Sequence, residues 1–168
     1  MDQTDLLATE LTDEAAITRR VLERVPEEKL SWRPHPKSMS LGQLALHVAG
    51  IPGGLAEFLS EPTQEIPTFS FPEPTSLSEI LIAFDKSEAT ALSKLSGWGR
   101  DDLMAQWKLT QGIETIITTP RIKMVRSLMF NHWYHHRGQL VVYLRLLGVP
   151  VPSVYGPSAD EASFGMPR

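Results

Sequence analysis

The sequence predicts an all-α fold, a four-helix bundle with a short extended or hairpin insertion before its last long helix. Three observations carry this expectation. Apolar residues recur at three- and four-residue spacings in four stretches, segments rich in proline and glycine separate them, and one stretch, 97–119, switches to strand-like alternation. With 168 residues the chain suits one domain over 1–168, long enough to bury a core and short for two.

The first helix is expected over 4–25, where Leu7, Leu11, Ala15, Thr18, Val21, Leu22 and Val25 share a face, and Pro26 ends it. A proline-bearing loop, WRPHPKSMS from Trp32, leads to Ser40, a suitable N-cap for the second helix. Leu41, Leu44, His47, Val48 and Ile51 then form one stripe, which turns His47 inward. Pro52, Gly53 and Gly54 should kink or interrupt this helix before Leu55, Phe58 and Leu59 resume it. Pro62, Pro67, Pro72 and Pro74 mark a loop over 61–75, and Ser76 with Glu79 makes a capping box for a third helix over 77–95. The stretch LMAQWKLTQGIETIITT, alternating about Gln111 and Gly112, predicts a hairpin or extended excursion. Thr119 and Pro120 then open the longest helix, which should run to about Leu147 before Gly148 and Pro150 stop it. From Val151 onward the chain has no clear period and reads as irregular coil or an intersubunit contact.

Charge and composition narrow the functional classes. The net charge of -4 is spread over interspersed acids and bases, without the basic run that follows a phosphate backbone, so nucleic acid is not an expected partner. No apolar run reaches the ~18 residues of a membrane span, and the acidic, polar N-terminal stretch does not resemble a secretory signal. A soluble cytoplasmic protein with no membrane partner is therefore expected. Cysteine is absent, so any thiol chemistry must use a thiol from outside the chain.

The chemistry concentrates in NHWYHHRGQ on the long helix. His132 and His136 are four residues apart, which stacks two imidazoles on one helix face, and a zinc-like ion takes three or four protein ligands. His47 is the candidate third ligand. His135 competes within the cluster, but at about 100° per residue it falls roughly 100° from the stripe of Ile122, Val125, Met129, Leu140, Tyr143 and Leu147, whose centre lies near His136. His132 lies within ~40° of that centre, so His135 is expected on the flank. The segment is not a zincin motif, because Trp133, Tyr134 and His135 separate the two histidines and no glutamate stands between them to activate water.

Two segments, KLSWRPHPKSMSLGQLALHVA from Lys29 and NHWYHHRGQL from Asn131, resemble the signature regions of the DinB/YfiT-like metalloenzymes, in the same order. The resemblance spans most of the chain. It implies a four-helix bundle of that type with His47, His132 and His136 as metal ligands, Trp32, Arg33 and Pro34 shaping the loop beside the site, and Arg137, Gly138 and Gln139 fixing the long helix behind it. It also implies thiol-dependent transferases and isomerases among the known activities, without selecting one. A homodimer is plausible for such a bundle.

Several side chains keep two readings at this stage. Trp32 and Trp133 are better explained as packing residues than as a platform for substrate. Tyr143 can point its hydroxyl toward the ligands or pass through the core to solvent, and Gln139 can orient His136 or bond a neighbouring helix. The leading expectation is an enzyme with a divalent metal ion, zinc or nickel first, held by three neutral imidazoles with an exchangeable position. It would act on a small-molecule substrate, either by S-transfer from a low-molecular-weight thiol or by hydrolysis. The rival is a non-catalytic, metal-stabilised bundle that binds a small molecule or a partner subunit.

Overall fold

A computed structural model of the chain describes residues 3–162. Helices dominate in the order α1 (Gln3–Leu22), α2 (Leu41–Phe58), α3 (Leu77–Gly97), α4 (Arg100–Met104), α5 (Arg121–Met124) and α6 (His132–Leu146), with a short 3-10 turn at Glu27–Lys29. α2 packs on α3, α3 on α1, and α6 on both α2 and α1. Leu11, Leu22, Leu44, Val48, Phe84, Leu95, Met129, Trp133 and Leu144 fill the space between them.

The fold is not purely a four-helix bundle. The expected hairpin forms from β2 (Gln106–Gln111) and β3 (Glu114–Pro120), but β1 (Thr63–Glu65) from the proline-rich loop adds to it in parallel. Three residues are too few for a periodic signal. β1 is held instead by the Glu65 carboxylate, which accepts from the Gly112 amide at 2.8 Å and the Thr110 hydroxyl at 2.9 Å. Gly112 has a φ of 58°, which a side chain would disfavour, and this explains the glycine at the turn. Helix α4 also occupies sequence expected to be extended. The first helix ends at Leu22, earlier than its apolar spacing suggests, although Val25 remains buried.

Two further corrections concern the helices that carry the histidines. Pro52 lies inside α2, yet the helix runs through it. Proline removes the amide that would bond the Val48 carbonyl one turn back. That carbonyl instead accepts the indole N–H of Trp133 at 3.0 Å. The next amide, Gly53, donates to Ser87 Oγ at 2.8 Å, and a Cβ at Gly53 would lie 2.7 Å from Ser87 backbone atoms. The glycine is thus required by the close approach of α3, while Trp133 completes the bonding of α2.

The long C-terminal helix is not uniform. Between α5 and α6, Val125–Asn131 forms a π-helical segment. A π turn closes i→i+5 and takes up more residues than an α turn, so side chains beyond it are rotated relative to a regular helix. The buried stripe accordingly slips by one residue, from the expected 136 and 143 to Arg137 and Leu144, with Trp133 and Leu140 completing it. His132 and His136 sit at its edge, half-buried, and His135 is exposed.

Candidate metal centre

α2 presents His47 and the start of α6 presents His132 and His136. One ligating nitrogen from each lies within 4.8 Å of the others, so the three rings form a group that could hold a metal ion. Ring centroids are 4.5 Å apart for His47 and His136 and for His132 and His136, and 5.2 Å apart for His47 and His132. His135 stays outside the group, as the angular reading expects.

The anchoring of the two helices begins away from the rings. The buried Arg121 guanidinium donates from Nε to the Leu59 carbonyl at 2.8 Å and from Nη2 to the Ser60 carbonyl at 3.3 Å, satisfying acceptors at the C-terminal end of α2. Arg137 lies behind the histidines and is 1% exposed. It pairs with Glu14 at 2.6 Å, donates to Thr18 Oγ1 at 3.0 Å, and contacts the Tyr155 hydroxyl. α1 and the C-terminal tail are thereby fastened to the back of α6. The resemblance places Arg137 behind the ligands, but an arginine at the centre of a buried stripe, with a tail tyrosine as partner, has no signature in helical periodicity.

Gln139 resolves to one of its two readings. Its Oε1 lies 2.8 Å from His136 Nδ1. A carbonyl oxygen only accepts, so Nδ1 carries the proton and Nε2 keeps a free lone pair. His132 Nδ1 is buried with no partner in hydrogen-bonding geometry, a cost that ligation would explain. Burial, with the neighbouring His136 and His132, lowers the pKa of His47 to about 4. Burial also lowers the pKa of His132, against an opposing pull from the Leu128 backbone, and of His136, against the Gln139 contact. All three rings are therefore neutral near pH 7, the state a metal ion requires. A set of three imidazoles with free lone pairs fits a borderline divalent ion.

Tyr143 points at neither the ligands nor bulk solvent: its hydroxyl donates to the Met39 carbonyl at 3.3 Å, and its ring meets Trp32 edge-on at 5.7 Å. Both aromatics pin the loop before α2. Ser40 caps α2 through Gln43 as expected, and Gln43 also donates to the Phe71 carbonyl at 2.7 Å. This holds Phe71 edge-on to His47, with centroids 5.4 Å apart.

Two openings meet at the triad. A cavity of about 290 Å³ reaches His47 and His132 between Leu46, Ile51, Leu55 and Phe69, and a cleft of about 550 Å³ reaches His136 and Gln139 from the Trp32–Ser40 side. Phe71 and Gln43 border both. Among the described residues, no aspartate or glutamate lines either opening.

Comparison with known proteins places this arrangement in a lineage. The uncharacterized protein YrdA of Bacillus subtilis strain 168 is 28% identical over 158 residues, covering 91% of this chain and 89% of that protein. The crystal structure of a DinB-like protein from Bacillus cereus ATCC 10987 superposes with a TM-score of 0.72 at 27% identity, covering 89% of this chain and 95% of that one. A second DinB-like protein, YjoA of Bacillus subtilis, shares the fold with a TM-score of 0.65 at 17% identity, covering 85% and 92% of the two chains. The model of the DinB family matches residues 1–166, and the chain belongs to that family.

Proposed function

We propose that His47, His132 and His136 hold a divalent ion, zinc or nickel first, and that the protein is a metal-dependent S-transferase that joins a low-molecular-weight thiol to a small electrophile. The observation that supports this best is the pair of openings that reach the triad from different sides. A purely structural ion is enclosed by its ligands, whereas a catalytic one keeps a position open. When bound, the ion supplies Lewis acidity, which lowers the pKa of a coordinated thiol and stabilises its anion.

The chain's own residues supply the rest. Gln139 holds the His136 proton on Nδ1 and directs Nε2 toward the centre. Phe71, Leu46, Ile51 and Leu55 form an apolar wall that can seat the electrophile and exclude water. Hydrolysis of a small substrate is the second reading, since an ion held by three imidazoles can bring a bound water from a pKa of about 15.7 to about 7. A thiol begins at a pKa of about 8.5 and needs far less help.

Elemental analysis of untagged protein, followed by zinc and nickel titration of the metal-free form, tests the centre. One ion bound per chain is expected, and the absence of saturable binding would overturn the metal reading. Thiol-dependent turnover of 1-chloro-2,4-dinitrobenzene by the loaded protein then tests transfer. Ester hydrolysis without thiol dependence would favour the second reading.

A further inference from the structure

We infer that the cleft on the His136 side is a subsite for a carboxylate, supplied by Arg33 and Lys37, and that the reactant entering there is an anionic small molecule. The inference rests on the metal-centre reading and adds a substrate class to it. The two openings differ in chemistry. Among the described residues, the cavity at His47 and His132 has no lysine, arginine or carboxylate in its wall, whereas the cleft at His136 carries two cations and no acid. Lys37 has no ion-pair partner among the described residues. Arg33 meets Glu73 through one nitrogen at 3.2 Å, and the other oxygen of Glu73 is taken by the Ser40 hydroxyl at 2.6 Å. The remaining guanidinium N–H groups have no protein acceptor among the bonds formed by the described residues.

The cations stand on a braced loop. Tyr143 holds the Met39 carbonyl, the Leu41 amide donates to the Trp32 carbonyl at 2.7 Å, and the Lys37 amide donates to His35 Nδ1 at 3.1 Å. Such bracing lowers the entropy cost of presenting charge to a ligand. The anion is a carboxylate and not a phosphate, because the amides at the start of α2 are already engaged. Leu41, Gly42 and Gln43 donate to Trp32, Leu30 and Ser40 respectively, leaving no backbone nest for a phosphate group. The arginine fork can pair with a planar carboxylate through two N–H groups, and the lysine adds a second positive charge beside it.

The test uses metal-free protein, so that no probe can bind an ion. The affinities of 4-phenylbutyrate and the matched alcohol 4-phenylbutanol are measured by amide chemical-shift titration. The acid should bind at least ~10-fold more tightly and shift the amides of 33–38, as expected for charge-assisted contacts. Arg33→Gln with Lys37→Gln should abolish the preference without changing the affinity for the alcohol, and Arg33→Lys with Lys37→Arg should retain it. Equal binding of acid and alcohol, a preference that survives the double glutamine variant, or no binding of either would overturn the subsite. Zinc titration of the same samples separates the two readings: zinc binding without an acid preference removes only the subsite, and an acid preference without zinc binding removes only the metal centre.

Discussion

The two helices that meet at the histidines both depart from regular α-helical bonding near the site, and they do so in opposite ways. α2 contains a residue that should break it and stays continuous, because Trp133 and Ser87 provide the bonds that Pro52 and the close approach of α3 disturb. The C-terminal helix contains no proline after its start and nonetheless widens into a π segment ahead of His132. In α2 the local sequence announces a defect that tertiary partners repair, whereas in the C-terminal helix a defect appears that no proline announces. The π segment sets the phase of His132 and His136, whereas His47 stands on the part of α2 that precedes Pro52.

Removing one ligand from each helix breaks the comparison most severely. His47→Ala on α2 and His132→Ala on α6 should each weaken zinc binding by more than ~100-fold, since even the partners of ligands contribute 10–100-fold. His135→Ala should leave it unchanged, and competition titration with a chelator of known affinity reads all three. Equal losses at His135 and His132 would contradict the triad. Next in size is the repair of α2. Trp133→Phe leaves the Val48 carbonyl buried and unbonded, which should cost about 1–3 kcal/mol by urea denaturation. Gly53→Ala, forced against Ser87, should cost a similar ~1–3 kcal/mol through overpacking. If Trp133→Phe has no effect, α2 does not depend on its partner.

On the C-terminal side, Gln139→Leu frees the His136 tautomer and should lower zinc affinity about tenfold with little change in stability. A further effect is on pH dependence. The histidines of the metal-free protein have lowered pKa values, so the unfolded chain binds more protons than the folded one in the window from about 6.5 down to the value of about 4 at His47. Stability is therefore fully present above pH 6.5 and declines as pH falls through that window. His47→Leu should flatten the decline in a urea series at several pH values, and an unchanged slope would count against a neutral, half-buried His47.

What the sequence makes legible is what depends on neighbours within a turn or two. Ser40 and Ser76 cap the expected helices, Gly112 turns the expected hairpin, and the spacing of His132 and His136, with the stripe that carries His47, points to the three rings that lie together. The hidden features depend on distant partners. Pro52 reads as a break because the indole that completes α2 comes from residue 133, and β1 goes unseen because its stability comes from β2. The stripe centred on His136 assumes uniform rotation per residue, and the π segment invalidates that assumption by one position. The slip moves His136 from the centre of the buried stripe to its edge, where it lines the cleft.

The hydrogen bond from Trp133 to Val48 joins the residue next to His132 to the residue next to His47. The half of the triad on α2 cannot then be transplanted as a peptide, because α2 borrows part of its integrity from the C-terminal helix. Assembly of the rings should coincide with consolidation of the core, so an ion would enter a vessel already built and would not act as the seed around which the chain collects. Chelation should consequently empty this protein without unravelling it.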